Sequence, residues 1–165
     1  MAARRVNWDD LPKEAVDREG YGVEYWKSVT DALGLRELGL SRVRIPPGKM
    51  ACPRHEHSRE EELFVVLEGS GTLLDGEELV PLRAGDVVSC LPGWGSHGIE
   101  AGPDGIEYLA ISNRVPGDWC WYPDSGKVLV EGLYRVRVDE IRNYYFGEAR
   151  AGRFGTNPDR ADDSE

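Results

Sequence analysis

Histidine, cysteine and methionine are all scarce in this chain: three, three and two among 165 residues. Cys52, Cys90 and Cys120 are odd in number and show no CxxC spacing. That excludes a disulfide framework and a zinc ribbon, and implies reduced thiols in a cytoplasmic setting. Trp119-Cys120-Trp121 then reads as core packing. Cationic excess is missing too. Thirty acidic residues against twenty basic ones give a formal charge of −10. Nucleic acid and anionic membrane both require clustered positive charge, so neither is an expected partner. No apolar run approaches 18 residues, which argues against a membrane-spanning helix. The first twenty residues hold arginines but no apolar stretch, so no secretory leader is expected there.

Helical periodicity is also weak, limited to short turns at residues 9–18 and 138–145. What the chain does carry is β signal. Short apolar runs are punctuated by turn residues throughout, the pattern of an all-β domain. Residues 38–45 alternate and stop at Pro46-Pro47-Gly48, and residues 50–57 form a second run. Residues 62–67 are aromatic and β-branched and end at Gly69-Ser70-Gly71. Residues 72–74 and 79–80 predict a hairpin around a tight Asp75-Gly76 turn. Further strands are expected at 86–91, 106–112, 128–130 and 133–138. The domain organisation expected is an N-terminal extension over 1–30, a barrel core over 31–115, strands and loops over 116–147, and a loose polar tail over 148–165.

All three histidines fall in one pattern. His55 and His57 are two residues apart, Glu61 and Glu62 follow, and His97 lies some forty residues on. Residues i and i+2 of a strand share a face about 6.6 Å apart, so both rings can lean toward one point. A carboxylate and a third imidazole would complete an N/O donor set suited to a divalent transition metal. With every histidine committed, no Ser-His-Asp or Cys-His nucleophile arrangement remains. Any catalysis must run through a metal.

Written whole, the two blocks are Gly48-KMACPR-His55-Glu56-His57-SREE-Glu62-LFVVLE-Gly69 and Gly85-DVVSCL-Pro92-Gly93-Trp94-Gly95-Ser96-His97. Together they resemble the two motifs of the cupin superfamily, G–HxH–E–G and G–PxG–H. The resemblance implies a double-stranded β-helix, a jelly-roll barrel, with metal ligands on His55, His57, Glu62 and His97. Glu62 rather than Glu61 keeps the family's four-residue gap after the second histidine, and Glu61 would face the other side of the strand. The chain departs from the family pattern in detail. Trp94 takes the slot of a glycine, one extra residue precedes His55 and another precedes Pro92, and Ala101 stands where asparagine is common. No ligand is lost. Val6-Asn7-Trp8-Asp9-Asp10-Leu11-Pro12 and Tyr122-Pro123-Asp124-Ser125-Gly126-Lys127 further resemble segments of small bacterial cupins, some of them assigned as sugar isomerases. The second is read first as a β-turn, and otherwise as a loop carrying Asp124 and Lys127 to the pocket mouth.

Alternation from Glu62 places Phe64 and Val66 on the pocket wall, and alternation from His55 and His57 places Pro53 and Ala51 inward with Cys52 outward. Tyr108 and Arg42 or Arg44 are candidate polar groups for substrate, and Trp94 a residue of the rim. The resemblance implies a mononuclear centre holding Fe, Mn, Ni, Zn or Co. It would act on a polar small molecule, as a sugar-like isomerase or epimerase or as a dioxygenase. The alternative is a non-catalytic small-molecule binding or sensor module. A homodimer, packed through N-terminal strand material and the aromatic cluster at 119–122, is the expected assembly.

Overall fold

Alternation takes physical form in β3 (Gly39–Ile45), where Val43 and Ile45 are buried and Arg44 between them is exposed. The computed structural model describes residues 3–26, 29–130 and 136–137. Its order runs from a 3-10 turn (Trp8–Asp10) through β1 (Glu14–Arg18), β2 (Tyr21–Tyr25), α1 (Val29–Leu33) and β3 to β4 (Glu56–His57) and β5 (Glu62–Asp75). There follow β6 (Glu78–Arg83), β7 (Val87–Cys90), β8 (His97–Ser112), β9 (Trp119–Tyr122), β10 (Lys127–Val130) and β11 (Val136–Arg137). A seven-stranded sheet is ordered β1-β2-β3-β8-β5-β6, with β7 also on β5, and a four-stranded sheet is ordered β11-β10-β9-β4. All strand pairs are antiparallel. The fold is an all-β jelly roll.

The core is built by the seven-stranded sheet, from Val23, Val43, Ile45, Phe64, Val66, Leu73, Leu82, Ile99, Ile106 and Tyr108 among others. β5 and β8 form its spine. The Gly69-Ser70-Gly71 stretch does not end a strand, as its glycines imply, but carries β5 onward as one 14-residue element. Register shifts at Val66/Glu68 and Gly69/Gly71 bend it around the barrel, the usual effect of a bulge. Gly69 has φ +75°, and a Cβ there would drive into the Gly105 carbonyl. Only glycine permits that approach.

Several local expectations are corrected. Residues 9–18 hold a 3-10 turn and then a strand, because β1 pairs with β2 in full register rather than coiling. The run 50–57 is mostly irregular, with isolated bridges at Met50 and His55 and only Glu56–His57 as strand. At the hairpin, Asp75 pairs with Glu78, so Gly76 and Glu77 form the turn. Most of the strand expected at 133–138, the turn at 138–145 and the tail at 148–165 lie outside the described residues.

Candidate metal centre

Three chain segments bring the histidines together. His57 sits on β4, His97 opens β8, and His55 exchanges two backbone hydrogen bonds with His97, N to O at 2.9 Å and 2.7 Å. Glu62 begins β5 opposite Ser112 of β8. All four side chains meet at one atom. Glu62 Oε2 lies 2.7 Å from His97 Nε2, 3.5 Å from His57 Nε2 and 3.8 Å from His55 Nε2. Donors bound to one ion at the usual 2.0–2.2 Å stand about 3.0–3.4 Å apart. The His57 and His55 spacings approach that range, and His55, His57 and Glu62 have donor atoms within 4.8 Å of one another. His97 is set differently. At 2.7 Å its nitrogen is in hydrogen-bond contact with the carboxylate, closer than two donors on one ion stand, so an ion would have to part the two. The donor set therefore fits a divalent transition metal. Glu61, by contrast, is exposed.

The far sides of the rings are held by groups that sequence reasoning missed. His57 Nδ1 lies 2.5 Å from Asp118 Oδ2, which fixes Nε2 toward Glu62. Asp118 is itself buried and accepts hydrogen bonds at Oδ1 from Ser58 Oγ (2.8 Å) and from the backbone N–H groups of Arg59 (2.8 Å) and Glu60 (3.3 Å). Such a carboxylate–imidazole pair orients a ligand and raises its basicity. His55 Nδ1 instead donates to the Pro53 carbonyl at 3.0 Å, and its ring stacks on Tyr122. Cys120, expected only in packing, lies with Sγ 3.4 Å from His57 Nδ1 and forms with His57 and Asp118 a second group of converging donors.

Proton affinities follow from these surroundings. Burial pushes His55 down to about 4, despite attraction to Glu62. Burial also works against charge on His57, but Cys120, Glu62 and Asp118 outweigh it and raise that ring to about 10. Burial alone would raise the Glu62 carboxyl, yet the His97 hydrogen bond and the surrounding imidazoles hold it below its usual range.

Two cavities meet at Glu62, Ser41 and Ala110. One, of about 330 Å³, is walled by Phe64, Tyr108, Val43 and Ile99 and reaches His55 and His97. The other, of about 880 Å³, is polar and wide and reaches His57, Asp118 and Cys120. Phe64 and Tyr108 line the first cavity, and their rings pack edge to face at 5.5 Å. Val66 is buried in the core but lines neither cavity. Arg44 lines neither of these two cavities: it shares the outward face of β3 with Arg42, and both bind Glu107, through Nε at 2.7 Å and 2.6 Å. Alternation from Val43 and Ile45 forces that placement. Trp94 is 78% exposed in the turn before β8 and lines neither cavity. Cys52 lines the apolar cavity and Pro53 does not, because residues 51–54 are not a strand and alternation does not apply. Asp124 turns to Arg54 at 2.8 Å in the loop between β9 and β10.

An antiparallel jelly roll with a three-histidine, one-carboxylate cluster between its sheets defines a recognisable class. The cupin-domain family model matches residues 41–111. A protein named provisionally as a sugar phosphate isomerase from Acidithiobacillus ferrooxidans is 31% identical, with a TM-score of 0.73 covering 82% of this chain and 90% of that one. A sugar phosphate isomerase of the cupin superfamily from Silicibacter pomeroyi has the same fold, at TM-score 0.72 and 21% identity, over 82% of this chain and 93% of that one. The oxalate-binding protein of Thermotoga maritima is 38% identical over 74 residues, 44% of this chain and 59% of that protein's length. This chain belongs to the cupin family.

Proposed function

We propose that the protein is a mononuclear metal-dependent enzyme acting on a polar small molecule, with His55, His57, Glu62 and His97 as ligands. The observation that carries this reading is the convergence of three imidazole nitrogens on the single oxygen Glu62 Oε2. A bound divalent ion with an open position would supply Lewis acidity toward a substrate oxygen. The chain's own residues do the rest. Asp118 fixes the His57 tautomer, Pro53 the ring plane of His55, and Phe64 and Tyr108 keep water from one side of the centre.

Isomerisation of a sugar-like substrate is the favoured branch, supported by the 31% identical relative whose length this chain nearly spans. A dioxygenase using the same ligands is the other enzymatic branch. Non-catalytic binding is a second reading, favoured by the relative that binds oxalate. Elemental analysis of protein purified without chelator or affinity metal, followed by aldose–ketose and oxygen-uptake assays, tests the proposal. About one transition ion per chain with isomerase turnover supports it. Metal with neither activity moves the protein to the binding class, and absence of metal overturns the ligand assignment.

A further inference from the structure

The large cavity has an unusual charge arrangement for a protein of charge −10. Among the described residues, its only cationic side chains besides His57 are Arg36, in the segment after α1, and Arg114, just after β8. Arg42, Arg44 and Arg54 are each tied to a carboxylate. Arg36 and Arg114 form no ion pair among the described residues, although Asp31, Glu60, Glu62 and Asp118 line the same cavity. Glu62 and Asp118 are committed to imidazoles, and Glu60 bonds to Ser112.

Arg114 is also held in place. It is the one non-glycine residue with positive φ, +42°, among those described. Left-handed backbone at a bulky residue persists only where surrounding structure enforces it, and such positions gather at ligand sites. Its stem crosses Gly39, where a Cβ would sit 3.3 Å from Arg114 Cγ and 3.4 Å from Cδ, and 2.7 Å from Ser112 Oγ. The missing side chain at Gly39 leaves room for that stem, and Gly39, Arg114 and Glu62 line the same cavity.

We propose that Arg114, assisted by Arg36, binds an oxyanionic group of the substrate at the cavity mouth, so that the substrate is an anion, a phosphate ester or a carboxylate, whose polar body reaches the His/Glu cluster. This rests on reading that cluster as the reacting centre. A guanidinium presents paired donors that match either anion, and an unpaired one on a cavity wall is free to do so. Arg36 adds charge that offsets the neighbouring carboxylates.

The test is calorimetric titration with ribose 5-phosphate, ribonate and neutral ribose, on protein as purified and after chelator treatment, with metal content measured in each. The expected result is that one anion binds at least about tenfold more tightly than ribose. Arg114→Ala should abolish that preference with metal content unchanged, and Arg114→Lys should retain part of it. The phosphate or the carboxylate arm identifies the group. Arg114→Gly, which also removes the left-handed strain, serves if the alanine variant does not fold, and Gly39→Ala should weaken anion binding by displacing the stem. Equal binding of all three probes, no binding at millimolar concentration, or an anion preference that survives loss of Arg114 overturns the proposal. An arginine-dependent preference in protein that never holds metal would sink the metal reading alone.

Discussion

His55 and His57 stand two residues apart with rings 5.1 Å between centroids, yet their surroundings pull them in opposite directions. His55 faces an apolar chamber and a backbone carbonyl, and burial lowers its proton affinity to about 4. His57 faces the wide polar cavity and is bracketed by Asp118 and Cys120, which with Glu62 raise it to about 10 against the effect of burial. One ring is neutral and ready to coordinate across the physiological range. The other must surrender a proton to an arriving cation. The HxH motif thus supplies two similar donors, and the loop around Asp118 makes them unequal.

The harshest way to break the comparison is to remove what both rings share. Glu62→Gln and His57→Ala should each cut metal content to below about a tenth of an equivalent while the far-ultraviolet spectrum stays β-rich. Unchanged occupancy in either would remove that residue from the ligand set. Asp118→Asn sharpens the contrast by disturbing only the His57 side. A lost partner behind a ligating imidazole typically costs 10–100-fold in affinity, and competition against a chelator should show a loss in that range, whereas Cys52→Ser beside His55 should show little.

The unequal rings also predict a pH profile for metal-free protein. The raised affinity of His57 adds stability that is complete below about 6.5 and is lost as pH rises toward about 10. The lowered affinity of His55 works oppositely: below about 6.5 the unfolded ring takes a proton that the folded ring refuses until about 4, so stability falls with acid. The apo melting temperature should therefore peak near pH 6.5 and drop by roughly a few degrees at pH 5 and at pH 9. A monotonic rise across that range would contradict the assignment for His57. The smallest effect is expected at Glu61, whose side chain is exposed; Glu61→Gln should leave metal content intact and stability within about 0.5 kcal/mol.

Much of this was legible in the residues. The His55-Glu56-His57 pair with a carboxylate downstream marks a candidate donor set, the resemblance to cupin motifs singles out Glu62 and His97 to complete it, and alternation in 39–45 and 62–66 marks real inward faces. The same alternation, applied to Val43 and Ile45, also assigns Arg42 and Arg44 to the outer face with Glu107, so that signal was present. Asp118 had no comparable mark. It lies 61 residues from His57 in an irregular loop, and only the pairing of β4 with β9 brings it near. The β1–β2 hairpin was hidden because β1 is mostly exposed and so carries no apolar alternation.

Which donors surround the ion decides the account, because His57 belongs both to the Glu62 cluster and to the group it forms with Asp118 and Cys120. X-ray absorption at the metal edge of protein purified without added metal reads this directly. A shell of nitrogen and oxygen alone at about 2.0–2.2 Å is expected. A sulfur scatterer near about 2.3 Å would place Cys120 on the ion and contradict it.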